Sequence, residues 1–129
     1  MAQVKVYALA SNLGMCKAKL SEVVHSCLVD AFGLPPEKRF QRFFSLSADD
    51  FIFPKNRSSR YTILEIHIFE GRSAGAKKAL IRLLFERFVA ELGYDVNDLE
   101  VHLAETPRAD WGIRGLPGDE LALSYEVEV

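Results

Sequence analysis

The chain has 129 residues, 49% hydrophobic and 26% charged, with a formal net charge of −2. That length suits one domain with one core, and the composition is far from that of a disordered segment. Acidic and basic residues are interspersed, which argues against a nucleic-acid surface, and no run approaches the ~18 apolar residues of a membrane helix.

The first residues are not a basic region followed by an apolar stretch, so no secretory leader is expected and the reading is cytoplasmic. Val4-Lys5-Val6-Tyr7-Ala8-Leu9 alternates and then runs apolar, as a partly buried strand does. Ser11 and Asn12 are suited to cap the following helix. Its apolar stripe is Cys16, Leu20, Val23, Val24, Cys27, Leu28 and Ala31, at three- and four-residue steps. Gly33 and Pro35-Pro36 end it. Cys16 and Cys27 lie roughly 16 Å apart along that helix, too far to bridge, and read as small buried hydrophobes. Arg39 to Leu46, with Phe40, Phe43 and Phe44, predicts a second strand.

The pattern then repeats. Leu64-Glu65-Ile66-His67-Ile68 is a strand, and Arg72-Ser73 opens a helix carrying Leu80, Leu83, Leu84, Phe88 and Leu92. Gly93 closes it, and Leu99-Glu100-Val101-His102-Leu103 is the next strand. Val4/Leu64, Val6/Ile66, Leu20/Leu80, Val24/Leu84, Leu28/Phe88 and Gly33/Gly93 are each sixty positions apart, the mark of an internal duplication. Each half reads as a parallel β-α-β unit. The expected α/β fold is a single domain, residues 1–129, with two tandem β-α-β units forming a four-stranded sheet and two helices on one face. Its halves are residues 2–46 and 61–104, with a linking loop at 47–60 and a tail at 105–129. Tyr7, Leu9, Phe44 and Ile63 predict an apolar outer sheet face that oligomerisation would cover. The loop reads as a surface loop or short hairpin. Residues 121–129 alternate near their end and suggest an edge strand pairing with another subunit.

Cofactor signatures are lacking. His25, His67 and His102 show no ligand spacing, and there is no P-loop, dinucleotide glycine motif or CxxC. No cofactor or metal is expected.

Three passages carry a resemblance: residues 30–41 (Asp-Ala-Phe-Gly-Leu-Pro-Pro-Glu-Lys-Arg-Phe-Gln), Arg72-Ser73 ahead of Lys77-Lys78-Ala79-Leu80-Ile81-Arg82-Leu83-Leu84, and Asp110-Trp111-Gly112. Together with the duplicated β-α-β pattern they resemble the tautomerase superfamily, in its malonate semialdehyde decarboxylase-like branch. The resemblance implies a homotrimer with active sites near subunit boundaries. It further implies an N-terminal proline as general acid or base, arginines for a substrate carboxylate and a tryptophan in the pocket wall. Here Ala2 follows Met1 where that proline is expected, Lys38 replaces an acid, and Glu70 replaces one of two arginines, the other being Arg72.

Removal of Met1 ahead of the small Ala2 would expose a primary α-amine with an ordinary pKa near 8. Cations such as Lys38, Arg39 and Arg72 would lower it towards a neutral base. Arg72 stands at a helix start, where a guanidinium and backbone amides meet an anion, although such an arginine is often merely solvated. Lys38 and Arg39 follow the Pro-Pro turn and are candidates for the same pocket or for plain surface charge. Trp111 suits a pocket wall or an interface equally. The leading expectation is a trimer binding a small carboxylated keto/enol compound, with weak or no proton transfer through Ala2 and isomerase- or decarboxylase-type chemistry if active. The alternatives are a non-catalytic binding or interaction trimer of the same fold, and a ferredoxin-like dimeric regulatory domain with interleaved strands.

Overall fold

The alternation at the start of the chain becomes β1 (Ala2–Leu9), with Ala2, Val4, Val6 and Ala8 all buried. The computed structural model describes residues 2–127. The elements that follow are α1 (Ala10–Phe32), β2 (Gln41–Leu46), β3 (Thr62–Phe69), α2 (Ala74–Leu92) and β4 (Leu99–Thr106). The sheet order is β2-β1-β3-β4. β1 runs parallel to β2, and β3 parallel to β4, while the central β1–β3 pair is antiparallel, with Ala2 opposite Ile68 and Ala8 opposite Thr62. The strands of each half are therefore neighbours and do not interleave, which removes the ferredoxin-like alternative.

The duplication is visible in three dimensions. β1 and β3 occupy positions sixty apart, and both helices end on a left-handed glycine, Gly33 (φ 66°) and Gly93 (φ 69°). Only glycine adopts that conformation without cost. Both helices cover one sheet face and are joined by Arg87, which donates to Asp30 Oδ2 (2.6 Å) and Ser26 Oγ (2.9 Å). Leu20, Val24, Leu64, Ile66, Leu80, Leu84 and Phe88 are fully enclosed between helices and sheet. Each such side chain contributes roughly 1.5–3 kcal/mol by leaving water. Phe88 also meets Tyr94 edge-on at 4.9 Å, so Phe88→Ala is the single core change expected to cost most, about 3–5 kcal/mol.

Four local features define the expectations more closely, overturning some and choosing between others. First, α1 follows β1 with no loop, and its N-cap is Leu9, which offers no side-chain bond. Asn12 lies inside the helix and is buried, its amide donating to the Tyr94 hydroxyl at 2.7 Å. A buried long-range partner outweighs a local cap here. Second, the outer sheet face is only partly apolar. Phe44, Tyr7 and Ile63 form one row, with Tyr7 stacked on Phe44 at 4.7 Å, but the adjacent row reads Arg42, Lys5, Glu65, His102. Third, the linking loop forms no hairpin. It makes one 3-10 turn (Ala48–Asp50) and is pinned by the Asp98 carboxylate, which accepts from the Ser58 amide (2.7 Å) and hydroxyl (2.5 Å). Fourth, the described part of the tail, Leu121 to Val127, contains no strand. The last two residues of the tail expectation lie outside the described residues. Earlier in the tail lies an unforeseen hairpin, β5 (Gly112–Ile113) and β6 (Leu116–Pro117).

Cys16 and Cys27 are free thiols, and burial pushes the Cys27 thiol up to about 11. No helix among the described residues is long and apolar enough to cross a membrane.

Candidate active site

Antiparallel pairing sets the start of β1 beside the end of β3, and β4 ends at the same edge of the molecule. Whatever follows β4 therefore falls over Ala2. The chain continues through a 3-10 turn (Arg108–Asp110), the β5–β6 hairpin and the tail. Arg108 fastens this extension: its Nε and Nη2 donate to Gly118 O at 3.1 and 2.9 Å, and Nη2 also reaches Leu121 O at 3.2 Å. Gly118 N donates to Trp111 O at 2.6 Å, and a Cβ on Gly118 would lie 2.6 Å from Arg108 O. Only a residue without a side chain permits that approach.

Beneath the extension is a cavity of about 140 Å³ lined by Ala2, Leu34, Lys38, Arg114, Ala122, Leu123, Ser124 and Tyr125. Among the described residues, two cationic residues and no Asp or Glu line it. Ala2 is 5% exposed, so a group at this point of the strand faces a confined space. Tyr125 is half-buried, and its hydroxyl has no hydrogen-bond partner. An unsatisfied buried hydroxyl is costly unless something else completes it.

The structure thus brings Ala2 and Lys38 together. It places the other three sequence candidates elsewhere around the same end of the sheet. Arg72 is 4% exposed, with its guanidinium 4.2 Å over the Phe32 ring and Nη1 within 3.5 Å of Phe69 O. Its Nε and Nη2 have no acceptor, and burial pulls its pKa down to about 10, with Glu105 opposing the shift. Arg39 is exposed, its Nη1 3.4 Å from Ser21 Oγ, and borders a separate depression with Gln3, Phe40, Gln41 and Arg42. Trp111 meets Phe69 edge-on at 4.9 Å and walls a further depression on the outer sheet face with Gln3, Lys5, Arg42 and His67.

Arg114, Ser124 and Tyr125 were not foreseen. The Arg114-Gly115 pair between two short apolar segments is a two-residue hairpin signal, but asparagine or aspartate before the glycine is its usual form. Among the described residues, no group of three or more His, Cys, Asp or Glu side chains could hold a metal ion. His25 instead holds the Pro-Pro turn, its Nε2 2.6 Å from Pro36 O.

Comparison with known proteins decides the family. The Tautomerase_2 family, described as "Tautomerase enzyme", matches residues 38–114. The chain belongs to the tautomerase superfamily. A probable tautomerase of Bacillus subtilis, YrdN, is 31% identical over 98 residues, 72% of this chain and 75% of that protein. The 2-hydroxymuconate tautomerase of Pseudomonas putida is 33% identical over 57 residues, which are 44% of this chain but 90% of that enzyme. A stretch shorter than half of this chain thus matches nearly a whole short tautomerase, a length in keeping with an internal duplication. A solved malonate semialdehyde decarboxylase structure superposes with a TM-score of 0.80 at 26% identity, covering 92% of this chain and 99% of that one. This tautomerase lies on the malonate semialdehyde decarboxylase-like branch.

Proposed function

We propose that this tautomerase is a cytoplasmic homotrimer that binds a small carboxylated keto/enol compound, with the α-amine of Ala2 as its proton-transfer group. The observation that carries this reading is the Ala2 cavity: the start of β1 faces a confined space lined by Lys38 and, among the described residues, by no Asp or Glu. Loss of Met1 frees the amine, and nearby positive charge favours its neutral form, which a general base needs at pH 7. For an enolpyruvate, the amine takes the enol hydroxyl proton, the C–O bond becomes a carbonyl, and the ammonium returns a proton to the adjacent carbon. No electrons are gained or lost. Lys38, in the cavity wall, supplies charge for the carboxylate and the developing enolate, and Arg72, which lies outside that wall with Nε and Nη2 lacking acceptors, is the second cation assigned to the carboxylate. Arg39 and Trp111 join the site across a subunit boundary. The trimer is supported by fused tautomerase structures of the same fold, one of which is described as a symmetric trimer.

The test is ultraviolet-monitored ketonisation of an aryl enolpyruvate by protein whose intact mass shows Met1 removed. Turnover above buffer that N-terminal acetylation abolishes is the expected result. Turnover unaffected by acetylation overturns the role of Ala2. Activity found only in Ala2→Pro makes the natural chain a ligand-binding trimer without chemistry.

A further inference from the structure

Arg114 has φ 52° and Gly115 φ 85°, so both residues of the β5–β6 turn are left-handed, as in a type I′ hairpin. The second position is glycine. The first is an arginine, where a side chain meets steric strain and glycine, asparagine or aspartate would relieve it. Strain kept at a cavity wall points to the side chain as its reason. Arg114 lines the Ala2 cavity although its outer side is exposed. The hairpin that presents it is fixed by the close backbone approach at Gly118 and by Arg108. Tyr125 lines the same cavity as well as a neighbouring depression, and its enclosed hydroxyl lacks a partner. Arg114, Lys38 and Tyr125 carry only donors suited to a carboxylate's oxygens, and among the described residues no Asp or Glu lines the cavity with them. The volume of about 140 Å³ is close to that of a cavity that takes up benzene, so the enclosed part of a ligand is about one small ring or a short chain and the remainder extends through the mouth.

We propose that Arg114 and the Tyr125 hydroxyl form the carboxylate anchor of the Ala2 cavity, a contact additional to Arg72 that rests on the functional reading above. The anchor belongs to the extension after β4, so it is specific to this end of the duplicated fold.

The probe is benzoylformate, a 2-oxo acid that cannot enolise, titrated by calorimetry against its methyl ester. Native protein is expected to prefer the acid. Arg114→Gly suits the left-handed turn, so its melting temperature should equal or exceed the native value while acid affinity falls at least tenfold and ester affinity stays constant. Tyr125→Phe should weaken the acid about three- to tenfold. Arg114→Lys, which keeps the charge, should recover part of the loss. Acid affinity of Arg114→Gly within twofold of native, or a native protein indifferent to acid and ester, overturns the proposal. An unchanged Tyr125→Phe removes the hydroxyl from the anchor. Binding is read without turnover. Acid binding that depends on Arg114, beside turnover indifferent to acetylation, would sink the Ala2 role alone. Acetylation-sensitive turnover with native binding in Arg114→Gly would sink the anchor alone.

Discussion

Replacing Arg72 with methionine should stabilise this protein. Methionine keeps much of the side-chain length and its contact with Phe32 while removing the charge. Burial has pulled the Arg72 pKa down to about 10, and at 1.36 kcal/mol per pKa unit the folded protein disfavours the charged form by about 3 kcal/mol. Two of its nitrogens, Nε and Nη2, are buried without acceptors, so hydrogen bonding does not recover that cost. The 3.5 Å contact of Nη1 with Phe69 O is too long to contribute much. What offsets the cost is the ring of Phe32, 4.2 Å from the guanidinium, a cation–π contact of about 1–2 kcal/mol. The balance leaves Arg72→Met more stable by roughly 1–2 kcal/mol, or about 4–7 °C in Tm for a domain of this size. Urea unfolding followed by Trp111 fluorescence, at one fixed protein concentration, measures it. A loss of 1 kcal/mol or more would refute the reasoning and make Arg72 a structural pillar. Under the proposed function the same substitution weakens carboxylate binding, so stability and ligand affinity should move in opposite directions.

Three further outcomes test the fold around the site. Tyr94→Phe strips a hydroxyl that accepts from Asn12 (2.7 Å) and lies 2.8 Å from Thr62 Oγ1; a buried amide loses its partner, and a cost of about 1–3 kcal/mol in urea unfolding is expected. Gly118→Ala forces a Cβ to 2.6 Å from Arg108 O, so residues 108–121 should exchange amide hydrogens faster while the core helices stay protected. His67 is held neutral to lower pH than a free imidazole, chiefly by burial and then by Lys5, with Arg42 and His102 adding repulsion and Glu65 opposing it. The unfolded chain therefore binds a proton that the folded chain resists. The contribution of His67 is complete above the unfolded pKa near 6.5 and is lost as pH falls through its lower folded value. His67→Gln should flatten the decline in Tm between pH 7.5 and 5, and an unchanged slope would exclude His67 as its source.

Periodic features carried over from sequence to structure, because they depend on what every copy of a β-α-β unit must bury. Leu20/Leu80, Val24/Leu84 and Leu28/Phe88 occupy matching core positions, and Gly33 and Gly93 end both helices alike. Features set by a single distant contact did not. Asn12 looks like a cap until Tyr94, 82 positions away, is seen to bind its amide. The alternation of Leu121, Leu123, Tyr125 and Val127 looks like a strand. In the structure the Leu121 carbonyl accepts from Arg108, and Tyr125 packs against the core. Side chains alternate equally well when a loop runs across the end of a sheet, so period two alone does not establish a ladder.

The same duplication explains why one end of the molecule holds the cavity. Thr62 stands in the second half where Ala2 stands in the first, and both begin a central strand and are buried. Thr62 follows Arg60 and Tyr61, so its nitrogen is an amide and no base. Its end of the sheet is closed by Asn12, Tyr94 and Arg60, whose guanidinium lies 4.2 Å over the Tyr94 ring. Under the proposed function the Ala2 nitrogen is an amine, and its end is roofed by the extension after β4, which brings Arg114 and Tyr125. Two equivalent strand starts have thus diverged, one sealed by an internal polar cluster and the other left with cationic walls and an unsatisfied hydroxyl. Sequence symmetry identifies where either site would be, but only the unequal connections, residues 47–60 on one side and 107–127 on the other, determine which end holds the Ala2 cavity.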